Sequence, residues 1–110
     1  MVKQVNKAVK VIKSVLIEID AASDNLKYTP AQLRAWRNDD IDWQCGYPFA
    51  IQFTGASPCV AAGYQSGGPQ AARGKVRADA QPGTYPYACA VYANDKVYLD
   101  AACPVIIIDP

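Results

Sequence analysis

Hydrophobic and polar positions alternate along most of this chain, and a period of two is the pattern of strands with one buried face. From Val9 to Ile19 the odd positions read Val9, Val11, Lys13, Val15, Ile17 and Ile19, broken only by Lys13. A strand is predicted there. Val2, Val5, Val9, Ile12 and Leu16 also recur at three to four residues and give a competing helical reading of the start. The density of Val and Ile from Val9 onward favours the strand. Residues 1–8 are read as an N-terminal arm and residues 9–110 as one domain.

Further along, Gln32 to Arg37 alternates and Asn38-Asp39-Asp40 signals a tight turn. Ile41, Trp43 and Cys45 then share one face of a short strand, and Phe49, Ile51 and Phe53 share the face of the next. Gly55 to Lys75 carries five of the seven glycines without sustained periodicity and is read as a long irregular excursion. Tyr85, Tyr87, Cys89, Val91 and Ala93 mark another strand, and Asn94-Asp95 is a hairpin turn into Val97 to Asp100. Val105 to Ile108 closes the pattern with four β-branched residues in a row. Eight or so short strands punctuated by turns predict an all-β fold, a sandwich or barrel. Trp43, Phe49, Ile51, Phe53, Tyr87, Val91, Ile106 and Ile108 are expected in its core.

The 110 residues suit one domain, and a net charge of +1 supplies no field that would gather phosphate backbones or anionic lipid. Nucleic acid is therefore not an expected partner. No apolar run approaches the ~18 to 20 residues that span a bilayer, so no membrane span is expected. Lys3 and Lys7 imitate the basic region of a signal peptide, but Lys10, Lys13 and Glu18 interrupt any apolar segment behind it. A cytoplasmic location is expected if the chain is native as given, and an extracytoplasmic one if its cysteines are bridged.

The order Thr29-Pro30, Leu33, Asp40-Ile41-Asp42-Trp43, Pro48-Phe49-Ala50-Ile51-Gln52-Phe53 and Gly83-Thr84-Tyr85-Pro86-Tyr87-Ala88-Cys89 resembles the cupredoxin family, such as plastocyanin and pseudoazurin. The likeness covers about Val15 to Ile108 and implies a cupredoxin-like Greek-key β-sandwich of seven to nine strands. It implies a type 1 copper held by two imidazoles and one thiolate. In this chain the first imidazole position is Phe49, the thiolate position is Cys89 and the second imidazole position is Tyr92. Histidine is absent and the only methionine is Met1, so these degenerate positions cannot form the copper set. Trp43, Phe49, Ser57-Pro58 and Pro104 to Asp109 are similar to copper-less cupredoxin-like domains of bacterial proteins. An immunoglobulin-like sandwich is the competing fold, since Tyr87-Ala88-Cys89 imitates a tyrosine corner, but Cys45 follows Trp43 instead of preceding it by a strand.

Four cysteines are the sharpest chemical feature. Cys45, Cys59, Cys89 and Cys103 are separated by 13, 29 and 13 intervening residues, without the close pairs of a zinc site or the C-x-x-C of a catalytic dithiol. They are read as buried thiols or as two disulfides, for which three pairings exist. The cupredoxin resemblance implies Cys45 with Cys89 and Cys59 with Cys103 as the possible disulfides.

Asp39, Asp40 and Asp42 lack the spacing of a calcium loop and are read as a solvated turn. Ser57 has no histidine to activate it, and no pair of carboxylates is placed for acid–base work. No catalytic, cofactor-binding or metal site is predicted, so the chain is not expected to be an enzyme. Arg34, Trp36 and Arg37 could join a binding surface. The Gly55 to Lys75 segment and the N-terminal arm are stronger candidates for partner contact, and Val9 to Ile19 is read as an edge strand able to pair with another copy. The expected function is structural or interactive, through a protein partner or self-association. The alternative is a thiol-redox or small-ligand carrier protein.

Overall fold

The computed structural model describes residues 12–67, 71–100 and 104–110. The predicted arm, the first residues of the strand predicted from Val9, and Cys103 lie outside the described residues. Ten strands follow in chain order: β1 (Ile12–Asp20), β2 (Asn25–Thr29), β3 (Gln32–Ala35), β4 (Asp40–Cys45), β5 (Phe49–Phe53), β6 (Gly63–Gln65), β7 (Ala71–Lys75), β8 (Gly83–Ala93), β9 (Lys96–Asp100) and β10 (Val105–Ile108). Among the described residues there is no helix. The protein is an all-β sandwich with at least one strand more than the pattern of the sequence suggests.

Two mixed sheets face each other. Sheet A has the order β2-β1-β4-β7, and sheet B has the order β3-β10-β8-β5-β6, with β9 added to the upper half of β8 beside β5's register. The chain changes sheets between β2 and β3 at a cis Thr29–Pro30 bond, after which β3 pairs in parallel with β10. Alternation then delivers two apolar inner faces. Val15, Ile17, Ile41 and Trp43 from sheet A meet Phe49, Ile51, Phe53, Tyr87, Val91, Ile106 and Ile108 from sheet B, all of them buried. Each such side chain contributes ~1.5 to 3 kcal/mol by leaving water. Every residue expected in the core from the sequence is in it.

Three expectations are corrected. The strand read as an edge is an interior one, because β1 pairs antiparallel with β2 on one side and parallel with β4 on the other. Its backbone groups from Ile12 to Ile17 are already committed to β4, which leaves that stretch closed to a second copy. The excursion from Gly55 to Lys75 contains two strands, β6 and β7, each at the edge of its sheet. Their inward positions are short or partly covered, so no apolar rhythm announces them: Ala72 is buried against the core and Gly74 lies beneath the Tyr64 ring. The aspartates of the turn before β4 are not solvated. Asp39 and Asp40 are both buried, Asp39 Oδ2 accepts the Trp36 backbone N–H at 2.8 Å, and Asp40 stands 3.8 Å from Arg73 and 3.9 Å from Lys75.

Candidate interaction face

Cys89 lies in the middle of β8, opposite Ile51, and Phe49 lies opposite Val91 on the same inner face. Those two residues are therefore diagonal neighbours in the core. Tyr92 is not with them, because β8 continues to Ala93 and its period of two turns Tyr92 to the outer face, where it is 54% exposed. The chain lacks the convergence at this end that a three-residue metal shell would need. Among the described residues no group of three or more acidic, cysteine or histidine side chains converges.

Cys45 enters the core from β4 and Cys89 enters it from β8, so the two thiols approach from opposite sheets. Both are free buried thiols in this structure. Tyr28 enters the same region from β2, with its hydroxyl beside Cys89 and donating to Asp100 Oδ2 at 3.2 Å. Burial pushes the Cys89 thiol up to about 12, and the nearby Cys45 and Asp100 add to the rise. Burial also raises Cys45, partly offset by the Gly46 and Tyr47 backbone amides. Cys59 is likewise a free buried thiol, pushed up to about 12 by burial, while Cys103 lies outside the described residues. Thiols held protonated in this way are poor nucleophiles at neutral pH.

The other chemically suggestive residues are occupied locally. Ser57 Oγ accepts the Cys59 N–H at 3.0 Å and donates to the Ala61 carbonyl at 2.7 Å, so it shapes a turn. Arg34 pairs with Asp109, and Arg37 Nε donates to the Ala80 carbonyl at 2.8 Å, leaving Trp36 exposed without either arginine as a joint surface. A cleft of about 430 Å³ opens where β4 ends and β1 runs on, walled by Leu16, Ile17, Ile19, Cys45, Tyr47 and Asn94. Glu18 also lines it, and its carboxylate raises the Cys45 thiol further, which holds that thiol protonated instead of activating it.

The two outer faces of the sandwich differ sharply in character. On sheet A the outward face of β1 exposes Ile12 and Leu16, but they stand among Glu18, Lys27, Asp42, Arg73 and Lys75, and Arg73 reaches both Asp40 and Asp42 at 3.8 Å. On sheet B the upper outer face carries no charge. Its register gives two cross-strand rows: Val97 beside Tyr92, and Leu99 beside Ala90, Ala50 and Gln65. Leu99 is 72% exposed, Val97 61% and Tyr92 54%, so they stand proud of a floor formed by Ala50, Ala88 and Ala90. At these exposures the three large side chains present roughly 350 Å² of apolar surface, the size of the largest patch on a typical monomer.

The sequence reading singled out Tyr92 only as a lost ligand and passed over Val97, Leu99 and the alanines. A signal was available. From Pro86 to Asn94 no residue is charged, so β8 is apolar on both faces, as strands are when both faces are covered. No protein-family model matches the chain, and no curated protein matches it.

Proposed function

We propose that this protein is a non-catalytic interaction or assembly module, a copper-less cupredoxin-like Greek-key sandwich that works through the outer face of sheet B. The contrast between its two outer faces carries the reading. One is laced with ion pairs, and the other exposes Tyr92, Val97 and Leu99 around an alanine floor with no charge among them. Exposed apolar patches of this kind mark contact surfaces. The buried, protonated thiols and the absence of histidine give catalysis no support.

A photo-reactive side chain placed at Leu99, and separately at Lys27 on sheet A, tests the reading in the native host. A covalent adduct of defined mass is expected from position 99 and none from position 27. Adducts from position 27 alone would sink it. The cleft beside Cys45 favours a second reading, a small-ligand carrier, since its volume falls in the range of ligand pockets.

A further inference from the structure

We infer that the occupant of the sheet B face is a second copy of this chain, packed face to face about a two-fold axis. The inference rests on the reading of this face as a contact surface and adds the partner. Charge, shape and area each bear on it.

An interface between two copies sets every residue near its own symmetry mate, so a charged patch would repel itself. The upper sheet B face avoids this. Its outward positions on β5, β6, β8 and β9 are Ala50, Gln52, Gly63, Gln65, Ala88, Ala90, Tyr92, Val97 and Leu99, none of which ionises near neutral pH. At the far end of this side Arg34 and Asp109 neutralise each other, and at the near end the exposed Asp95 stands in the β8–β9 turn, beyond the strand rows. Lys96, at the border of the patch, is held by both carboxylate oxygens of Asp24 at 2.8 Å. A net charge of +1 adds little repulsion between whole molecules.

Shape supplies the register. Leu99 forms a ridge on β9, and Ala90 and Ala50 in its row form a trough on the two strands beside it, bounded at one end by the row of Val97 and the proud Tyr92 ring. A two-fold axis parallel to the strands, placed between ridge and trough, carries each ridge onto the other copy's trough. Leu99 of one copy then fills the space above Ala50 and Ala90 of the other. Two such faces would pack as aligned sheets do, with side chains interdigitating. A single protein of another kind could fill the trough as well, but the ridge and trough standing side by side on one uncharged face are complementary to each other.

The area sets the strength. Two patches of roughly 350 Å², together with their alanine floors and glutamine rims, reach about 1,000 Å², the low end of specific interfaces. A reversible dimer is expected, populated at micromolar or higher concentration.

Sedimentation velocity of the purified chain across a concentration series tests this, with three variants beside it. The wild type is expected to pass from an 11.9 kDa monomer to a dimer as concentration rises. Leu99→Lys on the ridge and Ala50→Lys in the trough are each expected to raise the dissociation constant more than tenfold. Both positions are exposed, so neither lysine has to enter the core. Leu16→Lys on sheet A is the control and is expected to change nothing. A wild type that stays monomeric to millimolar concentration overturns the second copy as occupant. The reading of the face as a contact surface then survives only if position 99 still gives its adduct with another protein. A dimer indifferent to both sheet B variants but split by Leu16→Lys overturns the inference and the reading together.

Discussion

The ring of Tyr64 lies so close over Gly74 that a Cβ at position 74 would stand 2.8 Å from Tyr64 Cε2 and 3.0 Å from Trp43 Cζ3. Tyr64 cannot simply swing away, because it stacks on Trp43 at 5.7 Å and its hydroxyl accepts the Ala61 N–H at 3.1 Å. This contact ties β7 at the edge of sheet A to β6 at the edge of sheet B. Gly74→Ala is therefore expected to destabilise the fold by about 1 to 3 kcal/mol through overpacking. Urea denaturation followed by tryptophan fluorescence would measure it, and Tyr64→Ala in the same chain should relieve part of the loss. Equal stability of Gly74→Ala and wild type would show that the ring yields.

Tyr87 gives an opposite expectation. Its hydroxyl and the Trp43 indole N–H are both buried and face each other without reaching good hydrogen-bond geometry, and the two rings meet edge to face at 5.9 Å. An unpaired buried hydroxyl costs about 1 to 3 kcal/mol in lost hydration. Tyr87→Phe keeps the ring contacts with Trp43, Tyr28 and Phe53 and removes only the oxygen. It is expected to be neutral or to raise the thermal midpoint. A clear drop in midpoint would mean that the hydroxyl is hydrogen-bonded in solution.

Thiol chemistry should follow burial. Cys59 and Cys89, both pushed up to about 12, bind their protons more tightly folded than unfolded, where a thiol titrates near its ordinary value of 9.0. The folded state then holds more protons than the unfolded state between these values, so stability falls as pH rises through that window and is unaffected below it. The slope is about 1 to 1.5 kcal/mol per pH unit for each thiol. Denaturation midpoints from pH 8 to 11 would test it, and Cys89→Ser, which titrates nowhere in this range, should flatten the curve. At pH 7 these two thiols are expected to react with a disulfide reagent only as fast as the protein opens.

The β8–β9 turn is open to improvement. Asn94 and Asp95 both hold positive φ, at 56° and 60°, as the central residues of a two-residue hairpin do when its twist matches the strands. Asparagine tolerates that region and glycine does so without a steric cost. Asp95→Gly should stabilise the protein by about 0.5 to 1 kcal/mol, read as a rise in the urea midpoint at constant slope.

That turn was legible in the sequence, and so was the inner face of β4, β5, β8 and β10. Alternation names which residues of a strand share a side, and one buried side suffices to mark Trp43, Phe49, Tyr87 or Ile106 as core. It does not name a strand's neighbours. β1 has the same period whether it stands at an edge or, as it does, between β2 and β4. β7 escaped notice because its buried positions are Ala72 and Gly74, whose burial comes from Trp43 and Tyr64 and not from their own bulk. The sheet B face escaped for a related reason. Its floor is alanine, neutral in any alternation count, and its row Leu99, Ala90, Ala50 exists only through the register of three strands.

The pairing of β3 with β10 sets Gln32 against Val105 and Ala35 against Ile108, in parallel. Nothing local can prepare such a pair, and the loop that it closes spans most of the domain, which makes the pairing slow to form. β10 is also the strand that joins β3 to β8, so the six-stranded sheet has a gap at its second position until positions 105–108 arrive. During synthesis β3 waits with a bare edge while the 69 residues between it and β10 are made, whereas the lower half of β8 waits only for the 18 between Pro86 and Val105, so the sheet closes late from one side and early from the other.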